Sequence, residues 1–197
     1  MAEIKSALEL ALEKTKDVQG DRKTLEAHEH RQIGKRMLSK LQENSDFDPK
    51  SELKQYSGEH QQWVKEGLFE VLESQLSLPE SEMELERVKK LKTGFAALIK
   101  DKKSLDYLFE QVEQLFSQYL QNRQQLIEQL RQRFQERVQQ REQELSKQFG
   151  HSVKVDPSQD PEFSKTLQQN LSQLQSRYAP VIDQVREQLE SMFQQSK

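Results

Sequence analysis

The sequence predicts an all-α protein: an N-terminal helical region followed by a long antiparallel, coiled-coil-like helical hairpin. Three observations lead there. Glycine and proline are scarce, 6 and 5 residues in 197, so nearly every one acts as punctuation between helices. The stretch 104–149 contains neither, and its apolar residues from Leu105 to Phe149 recur three or four apart, on one face of a helix. A helix of that length spans roughly 65 Å and needs a second long helix beside it. The third observation is such a helix: a further apolar stripe follows Pro161.

The elements follow in order. A first helix covers about Ala2 to Val18, with Ile4, Leu8, Ala11, Leu12 and Val18 as its stripe and Gly20 as its stop. Asp21 caps a second helix to about Glu43, with Leu25, Ile33, Met37, Leu38 and Leu41 inward. Asp48-Pro49 then reads as an N-cap and a first-turn proline. The segment to Leu76 is divided at Gly58, and Gly67, one turn from Trp63, leaves room for a neighbour to approach closely. Ser77 and Glu80 have capping-box spacing. The helix after them, to about Ile99, turns Met83, Val88, Leu91, Phe95, Leu98 and Ile99 inward. A charged junction at 101–104 favours a fresh start, with Ser104 and Asp106 in the first turn of the long helix.

That helix ends at Phe149-Gly150, and 150–160 is the non-helical link. Asp160-Pro161 repeats the cap signal. The last helix carries Phe163, Leu167, Leu171, Leu174, Tyr178, Val181, Val185, Leu189 and Met192 at spacings close to a heptad seam. Pro180 within it should produce a kink. The domain reading is therefore 1–103 for the N-terminal helical region and 104–197 for the hairpin.

Composition limits the function classes. Apolar and charged residues make up 33% and 32% of the chain, which fits a folded protein with a thin core and much surface. A formal net charge of −3 gives no general pull toward nucleic acid or an anionic membrane. Cysteine is absent, so disulfides, thiolate catalysis and thiolate metal sites are ruled out. The opening MAEIKSALELALEKTK has no basic region followed by an apolar core, and no run approaches the 18 or so apolar residues of a membrane span. The expected location is the cytoplasm.

The motifs that could carry chemistry are weak. In His28-Glu29-His30 the two imidazoles point about 200° apart on a helix, so they cannot share a metal from one face. Glu26 and His30, four apart, could, but the zinc-protease spacing is missing. His60 and His151 stand alone. Glu80, Glu82, Glu84 and Glu86 include pairs four apart, yet lack the Glu-x-x-His that builds di-metal sites in helical bundles. No glycine-rich phosphate loop occurs. Arg131, Arg133, Arg137 and Arg141 form a basic stripe, but Glu128, Glu136, Glu142 and Glu144 interleave it, so helix-stabilising ion pairs are favoured over nucleic-acid contact. The glutamines from 111 to 148 read as a solvated face, with a polar contact surface as the alternative.

EIKSALELALEKT at 3–15 and WVKEGLFEVLESQLSLP at 63–79 resemble a family of uncharacterised bacterial helical proteins. The resemblance covers the N-terminal half and leaves out the glutamine-rich helix. It implies a bacterial cytoplasmic protein and carries no activity.

The functional expectation is a non-enzymatic scaffold, adaptor or protein-interaction module acting through the hairpin. No catalytic, metal or cofactor residues are expected. The partner is a protein or a second copy, as in a homodimer, without membrane and with nucleic acid disfavoured. Adjacent apolar pairs make the first part of the long helix apolar over more than one partner helix covers. This points to Leu115, Phe116, Tyr119, Leu120, Leu126 and Ile127 as the contact. The alternatives are a small-ligand or enzymatic site in the N-terminal bundle around Trp63, and a chaperone-like holder.

Overall fold

The computed structural model describes the backbone at 7–44, 46–156 and 160–197, and the side chains at 22–44, 46–156 and 160–197. The α-helices are α1 (Ala7–Glu43), α2 (Pro49–Leu53), α3 (Gly58–Ser74), α4 (Leu85–Leu98), α5 (Lys102–Phe149) and α6 (Pro161–Gln194). A 3-10 turn, Glu82–Glu84, precedes α4. No strand occurs among the described residues, and the class is all-α.

Two compact units divide the chain. The first takes the chain up to Leu76, then Lys89–Leu105 and Glu190–Lys197; the second takes Ser77–Val88 and Asp106–Leu189. A single cut at 103/104 falls near the step at 105/106. However, 77–88 belongs with the hairpin, and 190–197 belongs with the N-terminal segments.

The first unit is built on a close packing of α1 against α3. A Cβ placed on Gly34 would lie 2.1 Å from the Val64 carbonyl oxygen, and one on Gly67 would lie 2.1 Å from that of Arg31. Each glycine thus admits the backbone of the opposite helix. The ion pairs Lys23–Glu59 (2.8 Å), Arg31–Glu66 (2.9 Å) and Lys35–Glu70 (3.0 Å) advance together along both helices, so α1 and α3 run parallel. The return is made by 44–57. Asp48 caps α2 there by accepting from the Lys50 and Ser51 amides, and Gly58 opens α3 with φ +57°. Phe69 stacks on Phe193 at 4.5 Å and meets Phe95 edge-on at 5.7 Å, and Ser196 accepts from the Lys100 amide at 3.0 Å.

Several expectations change here. Gly20 does not stop a helix and Asp21 does not start one, because α1 passes through both. An isolated glycine costs a helix only about 1 kcal/mol, which strong helix formers on either side offset. The proposed start at Ala2 and the side chains of the first stripe lie outside the described residues. Leu25 is 59% exposed, since the inward face of α1 runs through Ala27, Gly34, Met37, Leu38 and Leu41. The long helix does start afresh, two residues earlier than 104, and Asp101 caps it: its carboxylate accepts from the Ser104 amide and hydroxyl at 3.1 and 2.6 Å.

In the second unit Ser77 and Glu80 form no capping box. The chain stays non-helical through 77–80, and the Ser77 hydroxyl accepts instead from Arg87 at 3.1 Å. Proline at 79 disfavours helical geometry at the residue before it. Met83, on the short turn, is 87% exposed rather than inward.

Within this unit α5 and α6 form an antiparallel hairpin. Tyr119 meets Tyr178 at 5.1 Å, and Phe134 meets Phe163 at 5.4 Å. Fifteen residues forward on α5 match fifteen backward on α6. Gly150, with φ +73°, ends α5, and the Asp160 carboxylate caps α6 through the Glu162 amide at 2.8 Å. The link is tied to α5 by the Val153 amide on Ser146 Oγ (3.0 Å) and the Val155 amide on Glu142 Oε1 (2.9 Å).

The seam is not a heptad. On α5 it runs Leu108, Val112, Phe116, Tyr119, Arg123, Ile127, Leu130, Phe134, Val138. On α6 it runs Phe163, Leu167, Leu171, Leu174, Tyr178, Ile182, Val185, Leu189. Every one of these residues is buried or half-buried. Both helices repeat the spacing four, four, three, an eleven-residue period of 3.67 residues per turn. A heptad template alternates three and four, so it selects Val181 and Met192 where Ile182 and Phe193 are the buried residues, each 3% exposed. The helix continues through Pro180. Pro180 and Ser176 are both exposed, so the carbonyl that loses its amide donor faces water.

Two predictions follow from these contacts. In an ordinary helix interior Gly→Ala stabilises by up to about 1 kcal/mol. At Gly34 and Gly67 the new methyl meets backbone, and each substitution is expected to destabilise by about 3 kcal/mol, read from the urea unfolding midpoint. The hydrogen bonds from Ser51 and the Lys50 amide to Asp48, and from the Ser104 hydroxyl and amide to Asp101, hold both carboxyls below the ordinary Asp value of 3.8. Folded values below unfolded ones mean that the stabilisation is complete above that value and lost as pH falls through the folded values. Stability measured down to pH 2 is expected to fall less steeply in D48N/D101N than in the unmodified protein.

Candidate functional site

The six expected contact residues all lie in the hairpin unit. Its seam closes part of α5. Phe116 and Tyr119 are 1% and 2% exposed, so these two expected contact residues lie in the unit's own core. Tyr178 adds a polar tie across the seam, accepting from Asn122 Nδ2 at 2.7 Å. Leu115, Leu120, Leu126 and Ile127 are half-buried.

Those four do not form one patch. Ile127 is a seam position. Leu115 and Leu126 are eleven residues apart and share a line along α5, each just before a seam residue. Leu120 sits about 140° round the helix from Leu115. Val181 likewise precedes a seam residue, Ile182. Antiparallel helices are related by a two-fold axis, so positions just before the seam on α5 and on α6 fall on the same side of the pair. Leu115, Leu126 and Val181 therefore form an apolar row on one side of the hairpin, with Val181 38% exposed.

On the Leu120 side, the segment 80–85 lies against α5. Between them is a cleft of about 660 Å³ with Leu85 and Leu120 on its wall. Glu80, Glu82 and Arg123 line the same cleft.

The other candidates resolve as follows. His30 and His60 do not stand alone: their rings stack at 4.3 Å and 8°. Trp63 lies 5.9 and 5.5 Å from them, and Tyr56 meets His30 edge-on at 6.1 Å. The region around Trp63 is thus an aromatic cluster on the α1–α3 face, with the Lys23 ammonium 6.0 Å from the indole. His30 Nδ1 lies 2.7 Å from the Glu26 carbonyl oxygen, and the Glu26 carboxylate is paired with Arg22. Among the described residues no three His, Asp or Glu side chains are grouped to hold a metal ion. The His30–His60 stack was not legible, because thirty residues separate the rings and only the parallel packing of α1 and α3 brings them together. Glu66 has a lowered pKa: burial raises it, but Arg31, Gln62 and Lys197 together outweigh that.

The basic stripe is interrupted. Arg137 pairs with Asp160 at 3.2 Å and with Glu162, and these carboxylates hold its proton more tightly than usual. Arg137 thus fastens the end of the hairpin. No helix among the described residues is long and apolar enough to cross a membrane.

These features define the class: an all-α protein with a parallel two-helix packing in one unit and an antiparallel eleven-residue-repeat hairpin in the other. The chain belongs to DUF6657, a family of unknown function, whose model matches residues 50–191. The match includes WVKEGLFEVLESQLSLP and the whole glutamine-rich helix, and leaves the opening EIKSALELALEKT outside. The family relation therefore rests on the hairpin as well, rather than on the N-terminal half alone. No curated protein and no solved structure matches the chain.

Proposed function

We propose that this protein is a non-enzymatic interaction module, a scaffold or adaptor, whose hairpin docks a protein partner or a second copy along the row Leu115, Leu126 and Val181. The observation that carries this reading is that the row sits beside a seam already closed by α6. Its side chains stand one step off the seam and remain partly open to solvent. An apolar strip edged by glutamines suits a helical partner, whose side chains can pack on the strip while amides exchange hydrogen bonds at the rim. The resemblance of the 63–79 stretch to bacterial proteins supports the bacterial cytoplasm as its setting.

Substituting Leu126 and Val181 with Glu tests the reading without cutting into the core. The unmodified chain is expected to sediment above its monomer mass of 23.3 kDa, or to retain a partner from its own cells. The double variant is expected to lose that association while keeping its circular dichroism spectrum. A chain that is monomeric at every concentration and retains no partner sensitive to these substitutions contradicts it.

A further inference from the structure

The cleft between 80–85 and α5 holds opposite charges that do not meet. Arg123 lines it with Glu80 and Glu82, yet no ion pair joins them, which places their charged atoms more than 4.0 Å apart. Elsewhere in the same unit half-buried arginines have carboxylate partners, Arg87 with Glu84 at 3.5 Å and Arg186 with Asp183 at 3.1 Å, although the Nε of each is left without one. Arg123 is half-buried and makes no hydrogen bond or ion pair. It also occupies a seam position where the eleven-residue repeat puts an apolar residue at nearly every other place. It breaks the local apolar pattern with a charge that has no partner in the chain, and its guanidinium nitrogens remain open to solvent and so to a ligand. Such a guanidinium is a ready fork for a carboxylate.

We propose that this cleft binds a small zwitterion, an amino acid or short peptide. Its carboxylate sits on Arg123, its ammonium on Glu80 and Glu82, and its apolar side chain on Leu85 and Leu120. The charge arrangement decides the class. A simple anion would meet the two glutamates, and a simple cation would meet Arg123, whereas a zwitterion spans both. The volume, about 660 Å³, is ample for a di- or tripeptide. Leu120 and Arg123 lie about 140° and about 80° round α5 from Leu115, and neither belongs to the docking row, so the site can stand or fall independently of it.

Calorimetric titration of the full chain with leucine, Leu-Gly and Leu-Gly-Gly tests this. At least one is expected to bind saturably with a Kd below about 1 mM, and N-acetylating or amidating that ligand is expected to weaken it about tenfold each. R123Q is expected to weaken the free ligand about tenfold but not the amide, and E80Q/E82Q to weaken the free ligand but not the acetylated form. Absence of binding by all three at about 5 mM overturns the proposal, as does equal affinity in R123Q and the unmodified chain. Should R123Q fail to fold, E80Q/E82Q decides the matter, since both glutamates are exposed, and unchanged affinity there is equally fatal.

Discussion

The hairpin depends on one constraint: α5 and α6 must stay face to face over many turns. A straight α-helix has 3.6 residues per turn, so a strict heptad stripe drifts around it by about 20° every seven residues, whereas an eleven-residue stripe drifts by about 20° every eleven and in the opposite sense. Both helices carry the eleven-residue pattern, and the two aromatic contacts show them in antiparallel register. Full burial of side chains such as Phe116 and Leu130 contributes about 1.5–3 kcal/mol each. These contributions recur with every turn, so the seam is held along its length rather than at one point. The end is fastened by Arg137 on Asp160 and Glu162.

That pairing decides what the rest of the surface can do. Residues in the seam are withdrawn from outside contact, and those one step to either side are left at its edges. One edge bears Leu115, Leu126 and Val181; the other bears Leu120 and the charged cleft. Arg123 is the exception inside the seam. The same geometric rule that buries Tyr119 and Ile127 holds a guanidinium beside the cleft without a carboxylate to neutralise it.

Much of the helical layout was legible in the sequence. Proline and glycine at 49, 58, 150 and 161 act through fixed φ or a positive φ, which are local properties and readable without a partner. The close approach at Gly67 was readable for the same reason, but its counterpart Gly34 was not, because its need for room is set by α3. Val181 and Ile182 are adjacent and equally apolar. Choosing between them requires the period over thirty residues, and a heptad template gives the wrong one. Met83 fell on a helical period that Pro79 prevents from starting in time. The company of Arg123 with Glu80 and Glu82 could not be read at all, since some forty residues separate them and only the fold of 77–88 onto α5 brings them together.

The most direct test of this account is the register of α5 against α6. The chain has no cysteine, so introduced pairs report without interference. Cysteines at Phe134 and Phe163 are expected to be joined within one chain by a short bismaleimide spanning about 10 Å. Cysteines at Phe134 and Tyr178 are expected to remain unjoined, because fifteen residues of helix separate Tyr178 from the matching position by about 22 Å. Equal cross-linking of both pairs, or cross-linking only between two chains, would contradict the antiparallel eleven-residue seam.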